Sequence, residues 1–336
     1  MKELLKELCL LDGISGDEER VREYILDKIK GFCEYSVDNL GNIIAFKKGK
    51  NKRDKKLMVS AHMDEVGLIV TSVNDDGSLN VDTVGGIETS AIIGKRVFVG
   101  EKRISGVVGS AAIHNISKED RKKAPKLSDL SVDIGASDKN EALKYVSVGE
   151  CVTFDSDFTE LGDNKIKAKA IDDRFGCAVM INLIQSELEF DTFFAFLVQE
   201  EVGLRGAKAA AYSIAPDAAL VIEATTACDI PGAEEEKRVC VQGMGPVVSF
   251  MDRSTIYSKE LYSLAFEIAN EKGILCQTKT MIAGGNDAGA IHTARGGVKT
   301  LAVSLPCRYI HSPSSVADMR DLESSYELIK QLVQRI

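Results

Sequence analysis

The sequence of 336 residues predicts an α/β fold, a mostly parallel central sheet sandwiched by helices and carrying a small β-rich insertion. Three observations predict it. After about residue 165, apolar strand-like runs alternate with helical ones, the rhythm of a parallel sheet covered on both faces. From about Gly67 to residue 160 the texture changes to short β-branched segments punctuated by glycines and Asp-Gly turns. Apolar content of 44% and charged content of 28% are those of a globular chain long enough for one large domain with an insertion.

Element by element, Leu4, Leu5, Leu8 and Leu11 recur at helical spacing, and Gly13 ends that helix. Ser15, with Glu18 three residues on, reads as a capping box for a second helix over roughly Asp17 to Lys30. YSVDNLGNIIAF reads as a hairpin turning at Asn39-Leu40-Gly41, and KLMVSAHMDE as a strand whose carboxyl end delivers His62 and Asp64. The insertion contains GLIVTSVNDDGSLNVDTVGG, KRVFV, ISGVVGSAAI and VSVGECVTFDSDF, with SKEDRKKAPKLSDL as a charged, exposed loop or short helix. Beyond it, DDRFGCAVMINLIQS, LRGAKAAAYSI, SKELYSLAFEIANEKG, DAGAIHTARGG and DMRDLESSYELIKQLVQRI read as helices. TFFAFLV, AALVIEA, ILCQTKTMI and VKTLAVSLP read as the strands between them.

Composition excludes some functions. A net charge of −9 argues against nucleic acid, which would need a basic stripe. No apolar run approaches the ~18 residues of a membrane span, and MKELLKELCLLDG reads as an amphipathic helix, not a signal peptide. The eight cysteines form no C-x-x-C pair and read as buried thiols of a reducing compartment, so a cytoplasmic location is expected.

In open α/β sheets, ligands gather beyond the carboxyl ends of the strands. Candidate strand ends here carry His62 and Asp64, Glu200 and Glu201, Glu223, and His311, while Asp172 and Asp173 precede a long helix. Taken singly, each could be a turn residue or a cap. Together, two imidazoles and several carboxylates are the inventory of a hydrolytic metal site suited to zinc, manganese or cobalt(II). In His62-x-Asp64 both side chains face the same way, so Asp64 can bond the ring nitrogen that His62 keeps from a metal. AGGNDAGAI reads as a tight turn with a cap at Asn286 or Asp287, having neither a P-loop lysine nor G-x-G-x-x-G spacing. His114 reads as structural or surface, and His292 as supporting or structural.

AHMDEVGLIV, IDDRFG, VQEEVGLRGA, MDRS, GGNDAGAIH and PCRYIHS, in this order, resemble the dinuclear metallo-aminopeptidases of the tetrahedral (TET) and deblocking type. That family includes bacterial glutamyl aminopeptidases, and some members are labelled endoglucanases. The resemblance covers nearly the whole chain and implies a metallopeptidase/phosphorylase-like catalytic domain at 1–66 and 161–336. ISGVVGS and LSVDIGASDKNEA resemble its β-barrel-like dimerisation domain, placed at 67–160. Carried onto this sequence, the pattern implies Asp172 bridging two divalent ions, zinc or cobalt first and manganese next. His62 and Glu223 would complete one ion, and Glu201 and His311 the other. Glu200 would be the general acid/base and Asp64 the orienter of His62, with Asp173 and Asp287 in supporting positions. The peptide bond Asp172-Asp173 would be cis. Substrates would be peptides with a free N-terminus, and homodimers would build a tetrahedral dodecamer. Glu223 stands where most members have aspartate, and Asn286 where threonine is common. The alternatives are a related metal-dependent amidohydrolase or deacylase, then a glycosidase, which would need two carboxylates flanking a sugar without metal help. A non-catalytic assembly protein that kept the fold and lost the chemistry is a third.

Overall fold

The computed structural model, which describes residues 1–112, 114, 117–119 and 122–336, opens on helices α1 (Lys2–Cys9) and α2 (Glu19–Ile29). Leu5, Leu8 and Cys9 of α1, and Val21, Ile25 and Ile29 of α2, form one buried stripe on each. The Ser15–Glu18 capping box is not formed, because both side chains are drawn into longer-range contacts. Ser15 Oγ donates to Asp64, while Glu18 accepts the N–H groups of Gly16 and Gln199.

Strands β1 (Glu34–Val37) and β2 (Ile43–Lys47) form the expected hairpin. Asp38 Oδ1 accepts from the N–H groups of Leu40, Gly41 and Asn42, and Gly41 takes φ +105°, a conformation that favours glycine. β3 (Leu57–His62) follows, buried along its length.

The next six strands are β4 (Gly67–Val73), β5 (Leu79–Val84), β6 (Arg96–Val99), β7 (Ile104–Ser110), β8 (Leu130–Asp133) and β9 (Cys151–Phe154). They close as an antiparallel barrel in the order β4-β5-β8-β7-β6-β9, with short helices α3 (Thr89–Ile92) and α4 (Lys139–Ala142) between strands. Leu68 and Val70, Val97 and Val99, and Val152 and Phe154 point inward at period two and fill its own core. The charged stretch 117–130 lies partly outside the described residues. Its described end is a short turn at Leu127–Asp129 leading into β8. His114 is exposed, in keeping with its reading.

The remaining strands are β10 (Thr159–Leu161), β11 (Lys165–Ala168), β12 (Thr192–Leu197), β13 (Ala218–Thr226), β14 (Val247–Val248), β15 (Gln277–Thr278), β16 (Lys299–Arg308) and β17 (Ser315–Asp318). Helices α5 (Ile171–Gln185), α6 (Arg205–Ile214), α7 (Lys259–Lys272), α8 (Ala288–Ile291) and α9 (Met319–Arg335) lie between and after them. The central sheet has eleven strands in the path β1-β2-β12-β3-β13-β16-β17-β11-β10, with β14 and β15 branching from β16. Its middle, β12-β3-β13-β16, is parallel, and antiparallel strands extend it on both sides. Side chains alternate between two covered faces. Val59, Phe194, Leu220 and Val303 meet α1, α2, α5, α7 and α9 on one, while Met58, Ala195, Val221 and Ala302 meet α6 and α8 on the other.

Two expected elements shrink. ILCQTKTMI keeps strand structure only at Gln277–Thr278, and DAGAIHTARGG is helical only over Ala288–Ile291. The first contributes Lys279 to the wall of the cavity described next, and the second begins beside Asn286, which also lines it. Of the eight thiols, none in a disulfide, Cys9, Cys177, Cys240 and Cys307 are buried and the other four partly so.

Candidate metal centre

The parallel register carries the polar residues to one edge. Leu197 pairs with His62, and Glu223 with Ser304, so β12, β3, β13 and β16 end side by side. Glu223 lies inside β13, not after it. Asp172 and Asp173 stand in the first turn of α5 with non-helical backbone, so they are not simple caps, and the bond between them is cis.

Asp172 is the midpoint. Its Oδ1 lies 3.4 Å from His62 Nε2, and its Oδ2 lies 3.8 Å from His311 Nε2. His62 Nε2 is also 3.8 Å from Glu223 Oε2, and His311 Nε2 is 3.4 Å from Glu201 Oε2. Three groups of candidate donors result, His62–Asp172–Glu223, Asp172–Glu201–His311 and His62–Glu200–Glu201, and Asp172 belongs to the first two. Ligand bonds of ~2.0–2.2 Å at tetrahedral angles put donor atoms about 3.3–3.6 Å apart, so the spacing fits a cation in each of those two. Among the described residues, Asp172 Oδ1 and Glu223 Oε1 are buried side-chain oxygens without a hydrogen-bond donor. Orphaned acceptors of this kind are satisfied by a bound water or a cation.

The electrostatics agree. Burial pushes the carboxyls of Glu201, Glu223 and Asp287 well above the usual range, and neighbouring carboxylates push them further. Glu200 is pushed up to about 7 by burial, with Asp172 and Asp64 adding to the effect and His62 opposing it. Burial would depress His62, but Asp172 and Asp64 outweigh it and hold the imidazole well above its ordinary value. Concentrated buried negative charge is what divalent cations relieve.

His62 Nδ1 lies 3.0 Å from the backbone carbonyl of Asp64 and 3.4 Å from its Oδ1. The main chain of Asp64 is therefore the nearer partner, and the carboxylate has a second task. Asp64 Oδ1 accepts the Glu200 N–H at 3.0 Å, and Oδ2 the Glu201 N–H at 3.1 Å. One residue thus fixes both the imidazole and the glutamate pair. Asp287 is fully buried with neither oxygen partnered, and Asp173 Oδ1 accepts the Gly176 N–H while Oδ2 is orphaned. Both stand behind the donor sets. Asn286 Oδ1 accepts the Ala288 N–H, the capping role expected of it, and His292 Nδ1 bonds Ala288 O within its own turn.

Sequence reasoning missed several supports. Asn42 Oδ1 accepts the Val198 N–H, and its amide donates to Gly206 O. Arg174, fully buried, donates to the carbonyls of Leu8, Gly13 and Met63. Lys169 donates to Glu65 at 2.5 Å and to Leu11 O, tying the start of α5 and the His62–Glu65 segment to the N-terminal turn. Glu65 and Arg174 directly follow the candidate residues Asp64 and Asp173, which was the available signal. Lone buried charges need partners, but the partners lie more than 100 residues away.

An α/β sheet that gathers two imidazoles and a set of buried carboxylates at its strand ends defines a candidate metal-dependent hydrolase. Residues 41–328 match the family model described as M42 glutamyl aminopeptidase, and the chain belongs to that family of metal-dependent peptidases. A curated relative from Acetivibrio thermocellus is 42% identical over 336 residues, covering 99% of this chain and 98% of its own. The lysyl aminopeptidase of Pyrococcus furiosus is 33% identical over 344 residues, covering 99% and 97%. Among solved structures, the chain is similar to the TET1 peptidase of Pyrococcus horikoshii, with a TM-score of 0.88 and 38% identity over 100% of this chain and 99% of that one. That peptidase can assemble into a tetrahedron or a large octahedral shell.

Proposed function

We propose that the chain is a dinuclear aminopeptidase that removes N-terminal residues from peptides, with Glu200 as general acid/base. The observation that carries this reading is Asp172, whose two oxygens each face a different histidine. His62, Asp172 and Glu223 would hold one ion, and Asp172, Glu201 and His311 the other, with zinc or cobalt favoured and manganese next. When bound, the ions supply Lewis acidity at the scissile carbonyl.

The rest belongs to the protein. Glu200 lines the cavity beside Asp172 and Glu201, where a carboxylate can take a proton and return it. It accepts a proton from the attacking water and hands it to the nitrogen of the leaving amine. Asp64 holds the Glu200 backbone and the ring of His62 in register. Carboxylates crowding the cavity attract the α-ammonium of a free N-terminus, which favours exopeptidase action.

The cavity, of about 350 Å³, also contains Lys279 and the glycine turn Gly284-Gly285. Lys279 Nζ gives one hydrogen bond to Ala283 O. Its charge favours an acidic first side chain, as in the family's description and unlike the lysyl aminopeptidase relative. The barrel would serve as a dimerisation domain, at 67–160, within a dodecamer working in the reducing cytoplasm.

The test is Glu200→Gln, assayed on aminoacyl-p-nitroanilides with zinc, cobalt or manganese supplied. Turnover should drop at least about a hundredfold while both ions stay bound. Near wild-type turnover at full occupancy would remove Glu200 from this role.

A further inference from the structure

The four N–H groups of Val198, Gln199, Glu200 and Glu201 are consecutive, and each donates to a side-chain oxygen from elsewhere in the chain. The acceptors are Asn42 Oδ1 at 3.0 Å, Glu18 Oε1 at 3.2 Å, Asp64 Oδ1 at 3.0 Å and Asp64 Oδ2 at 3.1 Å. A strand end normally gives such donors to a neighbouring strand or to water. Here the segment is held on a rail of side chains, and the rail sets where the two glutamates point. The fit is demanding, because Gln199 has φ +56°, a left-handed backbone disfavoured for residues with a Cβ.

One of these acceptors, Glu18, and Ser15, which bonds another of them, come from the N-terminal turn, which precedes the residues matched by the family model. Ser15 Oγ donates to Asp64 Oδ2 at 2.6 Å, the same oxygen that takes the Glu201 N–H. Glu18, 4% exposed, shares Oε1 between the N–H groups of Gly16 at 2.7 Å and Gln199. The turn is itself clamped: Ile14 bridges Glu65, and Arg174 and Lys169 bond the carbonyls of Leu8, Gly13 and Leu11. A Cβ added at Gly13 would come within 2.6 Å of both Arg174 Nη2 and Val21 Cγ2, so the turn is closely packed.

The structure assigns Ser15 and Glu18 as positioning residues that act through the Asp64 carboxylate and the Gln199 backbone to set the Glu200–Glu201 segment and so aim Glu200 at the reacting atoms. The assignment rests on the reading of Glu200 as proton carrier. Both side chains act as hydrogen-bond partners, so the chemistry predicts which replacements work. Ser15→Thr keeps the donor that Ser15→Ala removes, and Glu18→Gln keeps the acceptor oxygen that Glu18→Met removes.

The experiment compares Ser15→Ala, Ser15→Thr, Glu18→Met and Glu18→Gln in the ion-loaded enzyme, reading kcat and KM separately. Ion content per chain and thermal midpoint are measured alongside. Ser15→Ala and Glu18→Met should each lower kcat roughly tenfold, the scale of a small misplacement of a catalytic group. KM and ion content should stay near wild type, and Ser15→Thr and Glu18→Gln should recover most of the turnover. In a Glu200→Gln background, Ser15→Ala should add almost nothing, because the group it aims has lost its function. Wild-type kcat in both Ser15→Ala and Glu18→Met would overturn the assignment. So would no recovery in the conservative variants, or a full tenfold further loss in the Glu200→Gln background. If Glu200→Gln alone kept its turnover, the reading beneath the assignment would fail with it, which separates the two failures.

Discussion

At the residue scale, the two adjacent glutamates have distinct surroundings. Both line the cavity and group with His62, but only Glu201 also groups with His311 and Asp172. They can be neighbours because β12 stops at Leu197 and the rail takes over from the strand ladder. Asp172 has no substitute in this geometry, since removing it breaks both donor sets. Asp172→Ala is expected to lose both ions, and metal analysis after gel filtration checks it; a variant that retains two ions would refute the bridging role. Lys279→Met should lower kcat/KM for glutamyl substrates at least about tenfold relative to leucyl ones, the scale of one lost charge-assisted bond. An unchanged ratio on a p-nitroanilide panel would show that the ammonium does not select the substrate. Of the residues read in advance, His62, Asp172, Glu201, Glu223 and His311 are brought together. They were legible because imidazoles and acids rarely end so many apolar runs. Ser15 and Glu18 were visible too, but as a local cap; a pattern three residues apart cannot show that each side chain has a partner far along the chain.

At the element scale, the parallel core was legible wherever apolar runs were long. Phe194 and Phe196 pack on one face of the sheet and Ala195 and Leu197 on the other, so β12 reads as a continuous apolar run in the sequence. The short elements were not legible: β15 keeps two residues of strand and α8 four of helix, and local propensity does not set where tertiary contacts end an element. The closing helix α9 starts at Asp318, whose side chain caps the Arg320 N–H and pairs with Arg320 and Lys165. Burial would raise the Asp318 carboxyl, but these bonds hold it down from its ordinary 3.8 to about 2. A depressed carboxyl contributes stability above its unfolded value and loses it as pH falls through the folded one. Asp318→Asn should therefore unfold more easily than wild type at neutral pH. The gap should narrow as pH drops from about 4 towards 2. Denaturant titrations across that range read it directly, and a gap independent of pH would mean that the charge contributes nothing.

At the scale of the whole molecule, the barrel has its own core, separate from those of the central sheet. Light scattering should give a dimer or a multiple of it, and a stable monomer would count against the assembly proposed. No helix among the described residues is long and apolar enough to cross a membrane. The centre draws on β3, α5, β13 and the segments after β12 and β16, so ions bound there favour the folded chain over the unfolded one. A ligand at a hundred times its dissociation constant adds about 2.7 kcal/mol. The unfolding midpoint should rise by several degrees with zinc or cobalt and fall again with chelator; equal midpoints would mean that the donor sets do not bind.

The sequence by itself determined the alternation of strands and helices, the change of texture at the barrel, and the imidazoles and carboxylates offered as candidates at the strand ends. Each of these is written in short-range order, as periodicity or as a polar residue at the end of an apolar run. Only the tertiary structure decided the geometry in which Asp172 lies between the two histidines, its oxygens 3.4 Å from His62 and 3.8 Å from His311. It also decided that Asp64 carries the glutamate pair as well as the imidazole, and that an N-terminal turn supports the site. Those facts depend on which distant N–H meets which oxygen, and that is set when the sheet register and the buried ion pairs of Glu65, Lys169 and Arg174 bring remote segments together.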